Sequence, residues 1–395
     1  MSFLRDKVSY RLTLIAVLGL ATLVWACSSV SIPSYSMQQK TINRWMIEFH
    51  TDDKEEKVQL SLNYRSENSK GDSWGYSNVS RSIPTAQLVG LTREQAFSST
   101  GANVQFQVKR DAGSFNCEGW FKDGNGSGHF TFSANPAFAA ALKQQGIGEP
   151  TFEQQFSMAL SDVSLAFVKE LQDQGYEKPN VDELVQLGNH GVNLEYVQGL
   201  KALGYNLKTL EYLRRMRDHG VSLSYIREMS AAGYQKLTAE ELIRVRDHGV
   251  TPSFIREMAN LGYAGLDLQE LVRARDHGVH PESVNAFVAA GYGKLSLSEL
   301  ISLQDHGVNA RYVKELEALG YSRLSLDELL QMRDHGVNSS FIQELKDIGY
   351  ERVAVDQLIR LRDHGVSASY IKRMKEKGYS GQLDDFIRMR DRGEK

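Results

Sequence analysis

The chain has 395 residues, with 46 Lys and Arg against 49 Asp and Glu and a formal net charge of -3. That balance excludes a nucleic-acid binder, which needs a strongly basic face, and two cysteines, Cys27 and Cys117, exclude a disulfide framework. The length exceeds what one compact core comfortably holds, so two or more units are expected.

At the N-terminus Arg5, Lys7 and Arg11 precede an apolar run, Leu12 to Ala26, that carries no charge. A basic start and a short apolar run read as a signal peptide or signal anchor over residues 1–27, the run being short of the ~20 residues a spanning helix needs. Val24-Trp25-Ala26-Cys27 resembles the lipobox of bacterial lipoproteins, which implies lipidation of Cys27. Trp25 stands where that pattern has a small residue, so cleavage without acylation and an uncleaved anchor are the alternatives. In each case the basic flank stays inside and the remainder is expected on the periplasmic side of a bacterial envelope. Residues 28–42, polar and containing Pro33, read as a tether.

Residues 43–140 have the texture of strands. Val58, Leu60, Leu62 and Tyr64 alternate with polar residues, as do Val104, Phe106 and Val108, then Phe115, Cys117, Gly119 and Phe121, then Phe130 and Phe132. Alternation of period two puts one face of each segment in a core. The expectation is a small antiparallel sandwich or barrel, with Asp123 to Gly128 as a hairpin loop in which glycines supply positive φ. A strand follows that loop where a phosphate-binding loop needs a helix, and one carboxylate is too few for calcium. Cys117 falls on the apolar side and reads as a buried thiol.

From residue 151 to 395 the sequence repeats itself every 29 residues. Asp-His-Gly-Val recurs at His219, His248, His277, His306, His335 and His364, with Asn189-His190-Gly191-Val192 as the first copy, and Gly-Tyr recurs from Tyr176 to Tyr379. Strict self-similarity of this kind marks a stack of supersecondary units. In Leu237 to Tyr263, Thr238 and Glu241 form a capping box, and Leu237 with Leu242 a hydrophobic staple. Gly249 closes this first helix. Thr251 caps the second and Pro252 takes its first position, with Asn193, Ser222, His280, Asn309, Asn338 and Ser367 as equivalent caps. Gly262 closes it. The predicted array is an α-solenoid of eight helix pairs and a final helix, its end units degenerate.

The recurrent polar residues invite chemistry. A histidine at one position per repeat recurs at roughly the 8–10 Å spacing of packed helices, too far apart to share an ion whose ligands lie within ~2.3 Å of it. The histidines are therefore expected to be structural, favouring the helix dipole and bonding last-turn carbonyls so as to link repeats. A pH-sensing role for these imidazoles, whose free pKa is ~6.5, is a second possibility. Two arginine columns precede the aspartates. One runs Arg217, Arg246, Arg275, Arg333, Arg362 and Arg390, broken by Gln304; the other runs Arg215, Arg244, Arg273, Arg360 and Arg388. They read as a solvated face paired to Asp218, Asp247 and their equivalents, or as a basic stripe suited to an acidic protein partner or an anionic envelope polymer.

The Asp-His-Gly-Val and Gly-Tyr units, with Asp111-Ala112-Gly113-Ser114-Phe115-Asn116-Cys117-Glu118-Gly119 before them, resemble the C-terminal part of functionally unassigned bacterial envelope proteins. Some of those carry a BlaR-type membrane metallopeptidase domain, whose zinc motif this chain lacks. The resemblance covers about residues 43–395 and implies an extracytoplasmic accessory or sensory module. The fold expected is thus α+β and multidomain: signal or anchor, antiparallel β-rich domain, helical solenoid. The function expected is a non-enzymatic, membrane-tethered scaffold binding another envelope protein, with no catalytic residues, metal or cofactor. The alternative is an envelope sensor whose β domain takes a ligand or polysaccharide.

Overall fold

The structure is a computed structural model that describes residues 43–49, 57–67 and 74–394. The apolar run, Cys27 and the tether lie outside the described residues. Asn43 to Lys395 forms one compact unit, in which a curled antiparallel sheet is followed by a run of short helices.

The sheet contains β1 (Arg44–Glu48), β2 (Lys57–Glu67), β3 (Trp74–Pro84), β4 (Leu88–Val89), β5 (Ala102–Arg110), β6 (Gly113–Lys122) and β7 (Asn125–Ala134), in the order β3-β2-β1-β7-β6-β5-β4. A short helix α1 (Arg93–Ala96) interrupts the chain before β5. The alternating apolar residues line one face: Val58, Leu60, Leu62, Val104, Phe106, Val108, Phe115, Cys117, Phe121 and Phe130 are all buried. Burial pushes the Cys117 thiol up to about 12, so it stays protonated and inert near neutral pH.

Two expectations are corrected here. The β-rich region is a single sheet, without the second sheet of a sandwich, because helices cover its inner face. The Asp123 to Gly128 stretch is also mostly strand. Only Asp123 and Gly124 turn, with φ of 50° and 81°, the two positive angles that a tight hairpin requires. The later glycines serve packing. A Cβ on Gly126 would lie 2.3 Å from the Phe121 ring, and one on Gly128 would lie 2.0 Å from the Glu118 carbonyl. Beside them Trp45 is wholly buried and donates from its indole to that same carbonyl, 3.1 Å away.

After the sheet come eighteen helices of nine residues each, beginning with α2 (Pro136–Gln144), α3 (Phe152–Leu160) and α4 (Leu165–Asp173). From α3 onward they alternate as first and second members of eight pairs, and Leu383–Asp391 follows as a final helix. Local signals account for the breaks. Thr238 accepts from the Glu241 amide while Glu241 reaches back to the Thr238 amide at 2.8 Å, starting the helix Ala239–Asp247. Gly249 then adopts φ 69°, a left-handed value that glycine takes without steric cost. Thr251 caps the partner helix Pro252–Asn260 through the Phe254 amide at 3.1 Å. His280 is the exception among the expected caps: its side chain makes no capping bond, and its Nδ1 lies 3.0 Å from Arg275 Nη1.

Nine residues are too few for an isolated helix in water, so stability comes from stacking. Leu242, Val245, Val250, Phe254 and Met258 of this pair are buried, and Leu213, Met216, Val221, Tyr225 and Met229 fill the same positions in the pair before it. Tyrosine hydroxyls tie one pair to the next. Tyr196 donates to the Val221 carbonyl at 2.8 Å, Tyr225 to Val250 at 2.9 Å and Tyr312 to Val337 at 2.7 Å. Burial raises these phenols, Tyr225 and Tyr312 to about 12. The Gly-Tyr residues reach further: Tyr234 donates to Leu266 at 2.6 Å and Tyr321 to Val353 at 2.7 Å.

The sheet and the first repeat share a core. Phe156 of α3 meets Tyr64, Phe115 and Phe132 at ring separations of 4.9, 5.7 and 5.2 Å. Arg110 pairs with Asp162 at 2.6 Å, and the Asp111 carboxylate accepts from the Leu165 amide at 2.9 Å. α3 is therefore both the first repeat helix and part of the lid on the sheet.

Candidate functional site

The recurrent polar residues assemble into a ladder of histidines and aspartates. From Leu210–Asp218 to Val355–Asp363 each first helix ends in Asp, and the following His is its C-cap, donating its amide to a carbonyl four residues back, as His219 does to Arg215 at 3.0 Å; His190 caps the preceding first helix in the same way after Asn189. The imidazole then points to the next repeat. His190 meets Asp218, His219 meets Asp247 at 2.7 Å, and His248 meets Asp276 at 2.5 Å. His277 meets Asp305 at 2.7 Å, His306 meets Asp334 at 2.5 Å, His335 meets Asp363 at 2.6 Å and His364 meets Asp391 at 2.7 Å. A carboxylate only accepts, so the proton on each Nδ1 is fixed and Nε2 is left as the second polar atom of the ring.

The histidines thus do link repeats, but to a carboxylate one repeat on in place of their own helix carbonyls. The aspartates, expected to pair with arginine, are consumed by histidine. Each pair is about 40% exposed, as at His219 and Asp247 with 39% and 43%, so each adds little to stability. Among the described residues no group of three or more His, Cys, Asp or Glu is placed to hold a metal.

The two arginine columns have different surroundings. The column next to the aspartates turns back over aromatic rings of the preceding repeat. Arg217 lies 4.9 Å from the centre of Tyr196, Arg246 5.0 Å from Tyr225, and Arg275 5.1 Å from Phe254. Arg333 lies 4.7 Å from Tyr312, Arg362 5.1 Å from Phe341 and Arg390 5.2 Å from Tyr370. Such stacking is worth roughly 0.5–2 kcal/mol, more as the cation loses water. The glycine of the turn makes room: a Cβ on Gly191 would sit 3.1 Å from Arg217, and one on Gly307 3.1 Å from Arg333.

This geometry accounts for Gln304. The ring position that a residue at 304 would cover is Ser283, since Phe254 and Ser283 occupy equivalent places in consecutive second helices. Cation and ring are missing together. The aromatic partners escaped the sequence reading, although the joint interruption at Ser283 and Gln304 was visible as a signal.

The other column is outward. Arg215 makes two bonds to Glu240, 2.7 and 3.0 Å, which hold the Glu240 carboxyl below its ordinary range. Arg244 donates to Gln269 at 3.3 Å and Arg360 pairs with Asp384 at 3.1 Å. Arg273 is exposed. Between two rungs of the ladder Arg215, His219, Glu240, Arg244, Asp247 and His248 border an open hollow of about 500 Å³. Its walls mix both charges and suit a polar macromolecular surface better than an enclosed small ligand.

Compared with known proteins, the chain matches no protein-family model and no curated protein. No helix among the described residues is long and apolar enough to cross a membrane.

Proposed function

We propose that this protein is an extracytoplasmic, membrane-tethered, non-enzymatic scaffold whose helical repeats form a solenoid that binds another envelope protein. The observation that carries the reading is the surface ladder, which offers the same His–Asp chemistry seven times at a fixed sequence interval beside the outward arginines. Repetition of one surface along a stack is how repeat arrays build extended binding faces. The tethering part rests on the basic and apolar pattern of residues 1–27 and on the lipobox-like Cys27.

The partner-binding test must spare the fold. Arg217, Arg246, Arg275 and Arg362 cover aromatic rings, so reversing them disturbs stacking as well as charge. Reversing Arg244 and Arg273 to Glu together, in the full chain, leaves in place both the stacked column and the Arg215–Glu240 and Arg360–Asp384 pairs. The expected outcome is loss of crosslinking to the envelope partner at an unchanged melting temperature. Crosslinking that persists at native strength overturns the surface. A second reading, an envelope sensor whose β domain is the receptor, is favoured by the exposed Trp120 on the outer face of the sheet.

A further inference from the structure

The outer face of the sheet carries an arrangement that the repeats do not explain. One cross-strand row runs Trp120, Ser127, Met46, Ser61 and Ser80, each opposite the next in register. Trp120 and Met46 are 49% and 56% exposed, large apolar side chains turned to solvent. Ser127 between them leaves a notch, because the two flanking strands stand about 9.6 Å apart, twice the ~4.8 Å strand spacing. The next row runs Lys122, Asn125, Glu48 and Gln59. Trp120, Ser127, Met46 and Ser61 of the first row and Asn125, Glu48 and Gln59 of the second border a groove of about 250 Å³.

The lining defines what fits. A flat indole beside a thioether offers an apolar platform one ring wide. Around it stand neutral amides and hydroxyls, some already oriented by one another. Gln59 donates to the Ser80 hydroxyl at 2.6 Å, and the Ser61 and Ser80 hydroxyls are 2.9 Å apart. Of the residues that line the groove Glu48 alone is charged, so no cation there is placed to hold an anionic polymer. A protein partner of ordinary size needs about 800 Å² per side around an apolar centre, and two apolar side chains separated by a serine do not supply it.

From this juxtaposition we propose that the outer face of the sheet binds an uncharged glycan. A pyranose ring stacks its C–H face on Trp120, and Glu48, Gln59, Ser61 and Asn125 bond its hydroxyls. The site is separate from the His–Asp ladder and stands whether or not the repeats act as a scaffold.

Calorimetric titration of the full chain tests it, using hexamers of β-1,4-linked glucose, β-1,4-linked N-acetylglucosamine and α-1,4-linked glucose, with heparin as the charged comparison. At least one neutral hexamer should bind. Trp120→Ala should weaken it roughly tenfold or more, as expected on losing an aromatic contact surface. Ser127→Phe, which fills the notch, should also abolish binding, and Trp120→Tyr should retain most of it. Unchanged melting temperatures separate these losses from unfolding, since both positions are on the surface. The proposal is overturned by any of four results: no neutral hexamer binds at millimolar concentration, Trp120→Ala binds as the native chain does, heparin alone binds, or the face proves to be a self-association surface whose dimer disappears in Trp120→Ala.

Discussion

In the sheet each core position is used once, whereas in the repeats most core positions are used again 29 residues later. Trp45, Gly119 and Gly128 fit one another at a single place, and nothing else among the described residues duplicates that fit. Leu213, Leu242 and Leu271, by contrast, are all buried at the same point of successive first helices. The sheet is held by particular shapes. The array is held by one modest set of contacts made many times, so local damage has local consequences.

The largest effect is expected where shape is unique. Gly128→Val places a side chain 2.0 Å from the Glu118 carbonyl and 2.7 Å from Gly119 Cα, contacts that backbone cannot absorb. The prediction is a loss of about 3 kcal/mol or more, read by urea unfolding together with collapse of the near-ultraviolet signal of Trp45. A variant as stable as the native chain would show that the two strands can part without consequence.

An intermediate effect is expected from removing a whole unit of the array. Deleting residues 239–267 joins Thr238 to Leu268, which restores a capping residue three positions before Glu270 and sets His219 against Asp276. The shortened chain should still unfold cooperatively, with a lower denaturant slope because less surface is exposed. Aggregation or loss of helical signal would show that the repeats are not interchangeable.

The smallest effect tests a contact the array lacks. Ser283→Phe with Gln304→Arg rebuilds the ring and cation found at Phe254 and Arg275. A double-mutant cycle should give a favourable coupling of about 0.5–1 kcal/mol. A coupling near zero would mean that the stacked arginines fill space and do little else.

The two regions also differed in how much their sequences disclose. A repeat tests its own interpretation: Thr238, Asp267, Ser296 and Ser325 stand at one phase and all cap helices. Contacts between units were harder to read. His219 and Asp247 lie 28 residues apart, and nothing local tells a C-capping histidine that a carboxylate will arrive from the next pair. In the sheet, alternation disclosed which faces are buried but not what buries them, because Phe156 belongs to a helix that reads as the start of the array. The serine and glycine run after Asp123 looked like a loop for a related reason. Its glycines answer to Phe121 and Glu118 on the partner strand, and that partner is visible only once the hairpin has closed. Trp120 gave no signal of its own, since an exposed tryptophan and a buried one look alike in a string of letters.

The junction between units has one further consequence. Each unit presents an imidazole on one side and a carboxylate on the other, so every joint is made of the same two halves whichever neighbours meet. At the front of the array Ser161 and Asn189 take those places, their side-chain oxygens 3.4 Å apart, and Arg392 follows the last aspartate. A slipped duplication or loss of 29 codons anywhere between those ends leaves all joints chemically intact. Length is then the trait most open to inheritance and change: a lineage can lengthen or shorten the reach of the protein in single genetic steps while its surface stays the same.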